Sequence, residues 1–433
     1  MTTVRTDARV VIAGAGFAGL NAAKVLGNRP GVEVIVLDRL NHHLFQPLLY
    51  QVAMAALSPA DIAAPIRSIL HRYRNVRVLQ ASVQSVDLAA RKVICDCGEF
   101  AFDYLLLACG ATHAYFGHEE WECHAPGLKS LSQATEIRRR VLSAYETAER
   151  ETDRARQECL LTFVVVGGGP TGVELAGAIG EMGRYTLSRD FRQIDPRRTR
   201  VILVEAGPRI LPAFEARSAQ RATRDLESLG VEVRVSSKVT SVSSEGVALG
   251  AENIRAETVL WAAGVHASDL GRKLGVEVDP AGRVIVAPDL SIPEHPDVFV
   301  VGDLAHALDQ RTGRPLPGVA TVAMQQGIHV GKTILAERAG RPRAAFRFVD
   351  QGQMATIGRG RAVCEIGRLR FAGLFAWWLW LMVHIYRLTG FRNRLSVMVQ
   401  WGWSFITLDR GARLIVPRGW REYGDEDDCS PAK

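Results

Sequence analysis

No two cysteines of this 433-residue chain stand in C-x-x-C spacing, and their number, seven, is odd. That argues against a zinc knuckle and against a disulfide framework, and no metal site is expected. Cys95 and Cys97, the only close pair, would share a face on a strand and read as two reduced surface thiols. The N-terminus lacks a basic stretch followed by a signal-type apolar core, which places the chain in the cytoplasm. Its longest uncharged run, residues 371–386 (FAGLFAWWLWLMVHIY), falls short of the ~20 residues a spanning helix needs. With 47% apolar and 23% charged residues, the composition excludes a disordered or collagen-like chain and is long enough for two or three domains.

The formal charge of +7 is unevenly spread. Between residues 355 and 422 eleven arginines face only Glu365, Asp409 and Glu422, a surplus of eight positive charges, and six of the eight tryptophans lie there too. Such a segment suits a membrane surface or a nucleic acid. Uninterrupted Trp, Leu and Phe between the arginines, and the lack of a recognised nucleic-acid module, speak against nucleic acid. Arg368 and Arg370 before the apolar run, with Arg387, Arg392 and Arg394 after it, make the pattern of a helix lying among lipid headgroups. A buried core helix would also suit the run, and residues 395–406 (LSVMVQWGWSFI) fit strand and helix periods alike.

Two glycine fingerprints organise the rest. Residues 10–13 (VVIA) read as a buried strand, Gly14, Gly16 and Gly19 form G-x-G-x-x-G around Phe17 and Ala18, and apolar residues then recur at helical spacing. Gly14 permits the turn, Gly16 lets backbone approach a pyrophosphate at the helix N-terminus, and Gly19 allows close helix–strand packing. Asp38, 19 residues after Gly19 and followed by Arg39, ends the next strand, where a carboxylate can hold a ribose. The pattern repeats at Gly167, Gly169 and Gly172, around Pro170 and Thr171. Its acid, Glu205, comes 33 residues after Gly172, a distance that an extended helix and a basic loop over 184–200 would explain. A carboxylate there repels a 2′-phosphate and favours NADH over NADPH, a preference that nearby Arg209 tempers. Two such units predict two dinucleotides exchanging electrons, and flavin with nicotinamide is the chemically sensible pair.

With these features the chain resembles the type II, non-proton-pumping NADH:quinone oxidoreductases among the two-dinucleotide-binding flavoproteins. The resemblance extends over NHHLFQPLLYQVA (41–53), YLLLACGAT (104–112), VLWAAGV (259–265), VFVVGDLA (298–305), GVATVAMQQG (318–327) and MATIGRGRA (354–362). It implies an α/β fold of two Rossmann-like domains plus a C-terminal amphipathic membrane-binding region. The expected division is an FAD domain over 1–159 and 287–345, an NADH domain over 160–286, and a membrane-anchoring and dimer-forming region over 346–433. Residues 132–156 read as one amphipathic helix, and the acidic tail 425–428 as disordered.

The resemblance also implies roles. Non-covalent FAD would be held by the first fingerprint with Asp38, Arg39, Val83, Gly110, Thr112, Gly302, Asp303 and Gln325, and NADH by the second with Glu174, Glu205 and Gly264. Glu174 would move protons, because quinone reduction consumes two and a carboxyl raised by burial suits that task. Gln325 and Gln326 would contact flavin and quinone, Gln325 as a catalytic residue, with Phe45 and Pro47 as a wall near the ring. The implied protein is a homodimer on the cytoplasmic face of the cell membrane. Disulfide reductases of this fold carry C-x4-C after the first Rossmann helix; here 45–51 holds no cysteine. Two other readings are a soluble reductase of a ferredoxin-like carrier, and a redox-sensing interaction protein.

Overall fold

The computed structural model describes residues 7–407 and 410–416, with the side chains of Phe391 and Ile406 left aside. The acidic tail and Cys429 therefore lie outside the described residues. The chain forms two compact units. The first holds the described residues up to Leu44, with Ala63–Thr112 and Val265–Asp350. The second holds Phe45–Ile62, His113–Gly264 and the described residues from Gln351 on.

In the first unit, strands Val76–Gln80, Val32–Asp38, Ala8–Ala13, Tyr104–Leu107 and His295–Val300 lie side by side in parallel, and Ser291–Ile292 pairs antiparallel at the edge. In order of the chain this is 3-2-1-4-5, the doubly wound arrangement in which a dinucleotide meets the C-terminal end of the first strand. The strands are apolar at successive positions because both faces are covered: Val10, Ile12, Val34 and Phe299 enter one core, Val11, Ala13, Ile35 and Val298 the other. On one face helix Phe17–Leu26 packs against helix Ala320–Arg338 backbone to backbone. A Cβ on Gly327 would stand 2.0 Å from the carbonyl oxygen of Ala18, so only glycine fits.

The second unit repeats the plan with four parallel strands in the order Val231–Arg234, Arg200–Val204, Thr162–Val166 and Thr258–Trp261. Helix Pro170–Glu181 leaves its glycine turn and lies on an antiparallel sheet of Gln353–Gly358, Arg361–Ile366 and Leu369–Ala372. A Cβ on Gly177 would be 1.7 Å from the Ile357 carbonyl oxygen, so this approach too depends on glycine. Helices Leu374–Arg387 and Phe391–Thr407 follow. The last is moored to residues 60–61: Ser396 and Gln400 donate to Asp61 at 2.9 and 3.1 Å, and Asn393 to the Ala60 carbonyl at 3.2 Å.

Local expectations are refined in four places. Residues 395–406 are helical. The apolar run is split, because Phe371 belongs to a strand and Gly373, at φ +72°, turns the chain before the helix begins at Leu374. The single helix expected over 132–156 is two, Leu131–Arg150 and Arg154–Leu160, the second capped by the Asp153 carboxylate accepting from the Ala155 N–H. Cys95 is buried at the end of its strand while Cys97 lies exposed in the following turn, so they are not two surface thiols.

Helix Leu374–Arg387 buries Ala376, Trp380 and Leu381 and leaves Leu374, Phe375, Trp378, Met382 and Tyr386 exposed, a stripe one turn apart along the opposite face. Met398, Val399 and Trp403 are exposed on the next helix. Neither helix is the buried core element that the apolar run also allowed. Among the described residues no helix is long and apolar enough to cross a membrane.

Candidate active site

The two glycine turns share one geometry. Gly14 and Gly167 have φ of +99° and +108°, and a Cβ on either would strike the strand-end backbone at Ala108 or Ala262. Gly19 and Gly172 would each place a Cβ 1.8 Å from the carbonyl oxygen of the first glycine of their own motif. At Gly16 and Gly169 nothing stands within 4 Å, which is the open side a pyrophosphate needs. Each acid is fixed by backbone N–H groups. Asp38 accepts from Ala15 at 2.6 Å and Leu40 at 2.8 Å; Glu205 accepts from Gly168 and Gly207, both at 2.6 Å. The long spacing before Glu205 is taken up by a π-helical turn, Met182–Thr186, and a short turn at Pro196–Arg198. Arg39 is exposed, and Arg209, also exposed, gives a guanidinium N–H to the Pro212 carbonyl at 3.0 Å.

His43, which the motif reading passed over, is buried and edge-on to Phe17 at 5.2 Å. Burial pushes its pKa down to about 4, so the neutral ring donates from Nδ1 to the Ala15 carbonyl at 3.0 Å and stiffens the first glycine turn. Gly110, at φ +70°, turns the chain before exposed Thr112, and half-buried Val83 opens a strand of the antiparallel sheet below. Gly302, at φ +69°, precedes Asp303, and both line a cavity of about 100 Å³ with Gln326 and His266. Gln326 is buried and accepts from the Gly302 N–H at 2.6 Å, so it holds the turn. The Gln325 amide closes on the Val349 backbone, donating at 2.9 Å and accepting at 3.0 Å.

In the second unit Glu174 faces a cavity of about 430 Å³. Its carboxyl is pushed well above the ordinary carboxylate range by burial, and a backbone hydrogen bond from Thr356 only partly opposes this. Tyr50, on the same wall, is raised by burial and then by Glu174. Its hydroxyl accepts from Gln51 Nε2 at 2.9 Å, and Gln51 Oε1 accepts from Trp401 Nε1 at 2.6 Å. Glu181, two turns beyond Glu174 on the same helix, is bridged by Arg410 at 3.3 Å. Arg359 lies over the Phe405 ring at 4.2 Å. Phe45, buried and edge-on to His384, and half-buried Pro47 belong to this unit but are not on the cavity wall. Gln325 and Gln326 belong to the first unit. In the second unit Gly264 has φ +74°, and a Cβ there would strike the Phe116 ring at 2.5 Å.

Two dinucleotide turns with their acids define a pyridine-nucleotide oxidoreductase, and residues 8–327 match the pyridine nucleotide-disulphide oxidoreductase family. Residues 351–407 match the NDH2 C-terminal domain. Two type II NADH:quinone oxidoreductases of Mycobacterium tuberculosis, Ndh and NdhA, are 45% and 44% identical, each covering 94% of this chain, with 90% and 89% of their own length covered. The solved NDH2 of Plasmodium falciparum in complex with NADH superposes with a TM-score of 0.87 at 16% identity over 95% of this chain and 100% of its own. The chain belongs to the type II NADH:quinone oxidoreductases: it is an enzyme that oxidises NADH and reduces quinone.

Proposed function

We propose that the enzyme works through non-covalent FAD as a peripheral, non-pumping dimer on the cytoplasmic face of the cell membrane, with quinone entering the cavity of the second unit. The observation that carries the quinone assignment is Glu174: a buried acid, its carboxyl pushed well above the ordinary range, on the wall of a largely apolar cavity bordered by helices with an exposed apolar stripe. Quinone reduction needs a proton at a site without bulk water, and this carboxyl suits it.

The residues of the first unit fit FAD. The open side of Gly16, the pinned Asp38 and the turn at Gly302 and Asp303 suit its pyrophosphate, ribose and ribityl groups, with Arg39, Val83, Gly110 and Thr112 around them. His266 Nδ1, buried on the cavity shared with Asp303 and without a hydrogen-bond partner among the described residues, is an orphaned polar atom that a bound cofactor would satisfy. FAD when bound accepts two electrons from NADH and passes them to an acceptor. For NADH we assign Gly167, Gly169, Pro170, Thr171, Gly172, Glu205 and Gly264, and for quinone Glu174; Gln325 stays with FAD in the first unit. By this reading residues 1–159 and 287–345 serve FAD, 160–286 NADH, and 346–433 the membrane and the dimer.

The test is anaerobic absorbance: NADH bleaches the flavin band of the purified protein, and a short-chain quinone in detergent restores it. Bleaching without recovery would move the acceptor to a protein carrier, and absence of bleaching would overturn the FAD reading. In the same assay Glu205→Ala is expected to raise the NADH requirement about tenfold, a loss of ~1.4 kcal/mol, and to narrow the gap to NADPH. An unchanged gap would remove Glu205 from ribose recognition. For the membrane, Phe375→Glu with Met382→Glu places two charges on the exposed stripe, and liposome co-sedimentation is expected to fall at least tenfold, since charges in the interface cost ~1 kcal/mol or more each. Sedimentation equal to wild type would defeat the membrane assignment.

A further inference from the structure

The cavity beside Glu174 has two donors that the fold leaves unsatisfied. Trp380, only 2% exposed, and Arg361 both line it, and among the described residues neither Trp380 Nε1 nor Arg361 Nη1 has a hydrogen-bond partner although both atoms are buried. An unpaired buried donor is costly, so a fold that keeps two on one wall calls for a reason. Neighbouring acceptors are committed elsewhere. Glu181 is taken by Arg410 and by the N–H of Arg359, and the Gln51 oxygen by Trp401. Glu174 is engaged by the Thr356 backbone, and burial pushes its carboxyl well above the ordinary range.

Both donors stand on regular elements. Arg361 opens the strand Arg361–Ile366, and Trp380 is held within Leu374–Arg387 by stacking on His384 at 4.3 Å. Met54, Ala178, Ile357 and Leu374 make much of the remaining wall apolar. A charge appearing on a ligand there is poorly screened, and a fixed guanidinium acts on it more strongly than it would in water.

We propose that Arg361 and Trp380 donate hydrogen bonds to the quinone oxygen that becomes negative during reduction, so that together they act as an oxyanion hole. This rests on the reading of the cavity as the quinone site. The hydride equivalent of NADH, two electrons and one proton, turns quinone into a quinolate with one anionic oxygen and releases NAD+. One proton from the Glu174 carboxyl then completes the quinol, and Glu174 recovers its proton from solvent. The ground-state quinone is neutral, so the donors contribute little to its binding and much to the transition state.

Full-length Arg361→Gln, Arg361→Lys, Trp380→Phe and Ala56→Phe test this with a short-chain ubiquinone analogue. Turnover with quinone is expressed relative to each variant's own NADH–ferricyanide rate, and quinone affinity is read from quenching of tryptophan fluorescence in the oxidised protein. Arg361→Gln is expected to lower the ratio about 10²–10³-fold with affinity changed less than about threefold. Arg361→Lys should recover part of the loss by restoring the charge, and Trp380→Phe should lower the ratio about tenfold. A ratio unchanged in Arg361→Gln, or affinity lost in parallel with rate, overturns the oxyanion assignment. Ala56→Phe fills the cavity from its wall, and quinone turnover and affinity unchanged in that variant overturn the quinone site itself.

Discussion

Glu174→Gln is expected to lower quinone turnover about 10²–10⁴-fold, the contribution of a positioned acid, while raising the melting temperature near and above neutral pH. Both effects have one cause. Burial holds the Glu174 carboxyl well above its ordinary value of 4.5, so the folded enzyme keeps a proton that the unfolded chain gives up. From that ordinary value upward the native state binds more protons than the unfolded one, so stability falls as pH rises, until the pH passes the raised value. Glutamine is neutral throughout and lacks this loss. The wild-type quinone rate should hold at low pH, where the carboxyl is protonated, and decline as pH rises through the raised value, whereas the Gln variant should be slow without that decline. Turnover from pH 5 to 9 and melting curves over the same range check this. Equal rates across the range would remove Glu174 from proton delivery.

Arg410→Met carries the second large effect, on stability. The guanidinium is buried at 9% exposure and donates to the carbonyls of Met54 and Ala178 at 3.0 and 3.4 Å while bridging Glu181. Burial pulls its pKa below the ordinary guanidinium value, and Glu181 pulls it back. Methionine fills similar space but leaves the Glu181 carboxylate and two carbonyls without this partner, a change that costs ~3–5 kcal/mol. The cost lies largely in the stranded charge, so Arg410→Met with Glu181→Gln should be less destabilised than Arg410→Met alone. Thermal melts of the single and double variants measure the difference. A double variant as unstable as the sum of its parts would show that the pair does not interact.

The site was legible in sequence where its geometry is local. A glycine turn, the strand before it, the helix after it and the acid ending the next strand lie within a few dozen residues, and each is dictated by backbone sterics and by the charge a pyrophosphate and a ribose present. Asp38 and Glu205 therefore accept from N–H groups of the glycine turns that precede them, Ala15 and Gly168, as their positions in the chain imply. The apolar stripe of 374–386 was legible in part. Its flanking arginines were visible, but the strand at its start was not, because the apolar run continues unbroken through Phe371 while Leu369–Ala372 folds back in a tight hairpin on Val363–Ile366.

Other features were decided by tertiary structure. Tyr50, Glu174, Arg361, Trp380 and Arg410 come from distant segments, and no spacing rule joins them; packing of helix Pro170–Glu181 on the C-terminal sheet, through a contact only Gly177 permits, does so. Gln325 and Gln326 look alike in sequence, yet one closes on the Val349 backbone and the other holds the turn at Gly302. Sequence by itself determined the two nucleotide-binding units and the basic, tryptophan-rich C-terminal segment, because turns and periodicity are written over short stretches. Which carboxyl keeps its proton and which donors go unpaired depends on desolvation by residues far away in the chain, and desolvation exists only once the chain has folded.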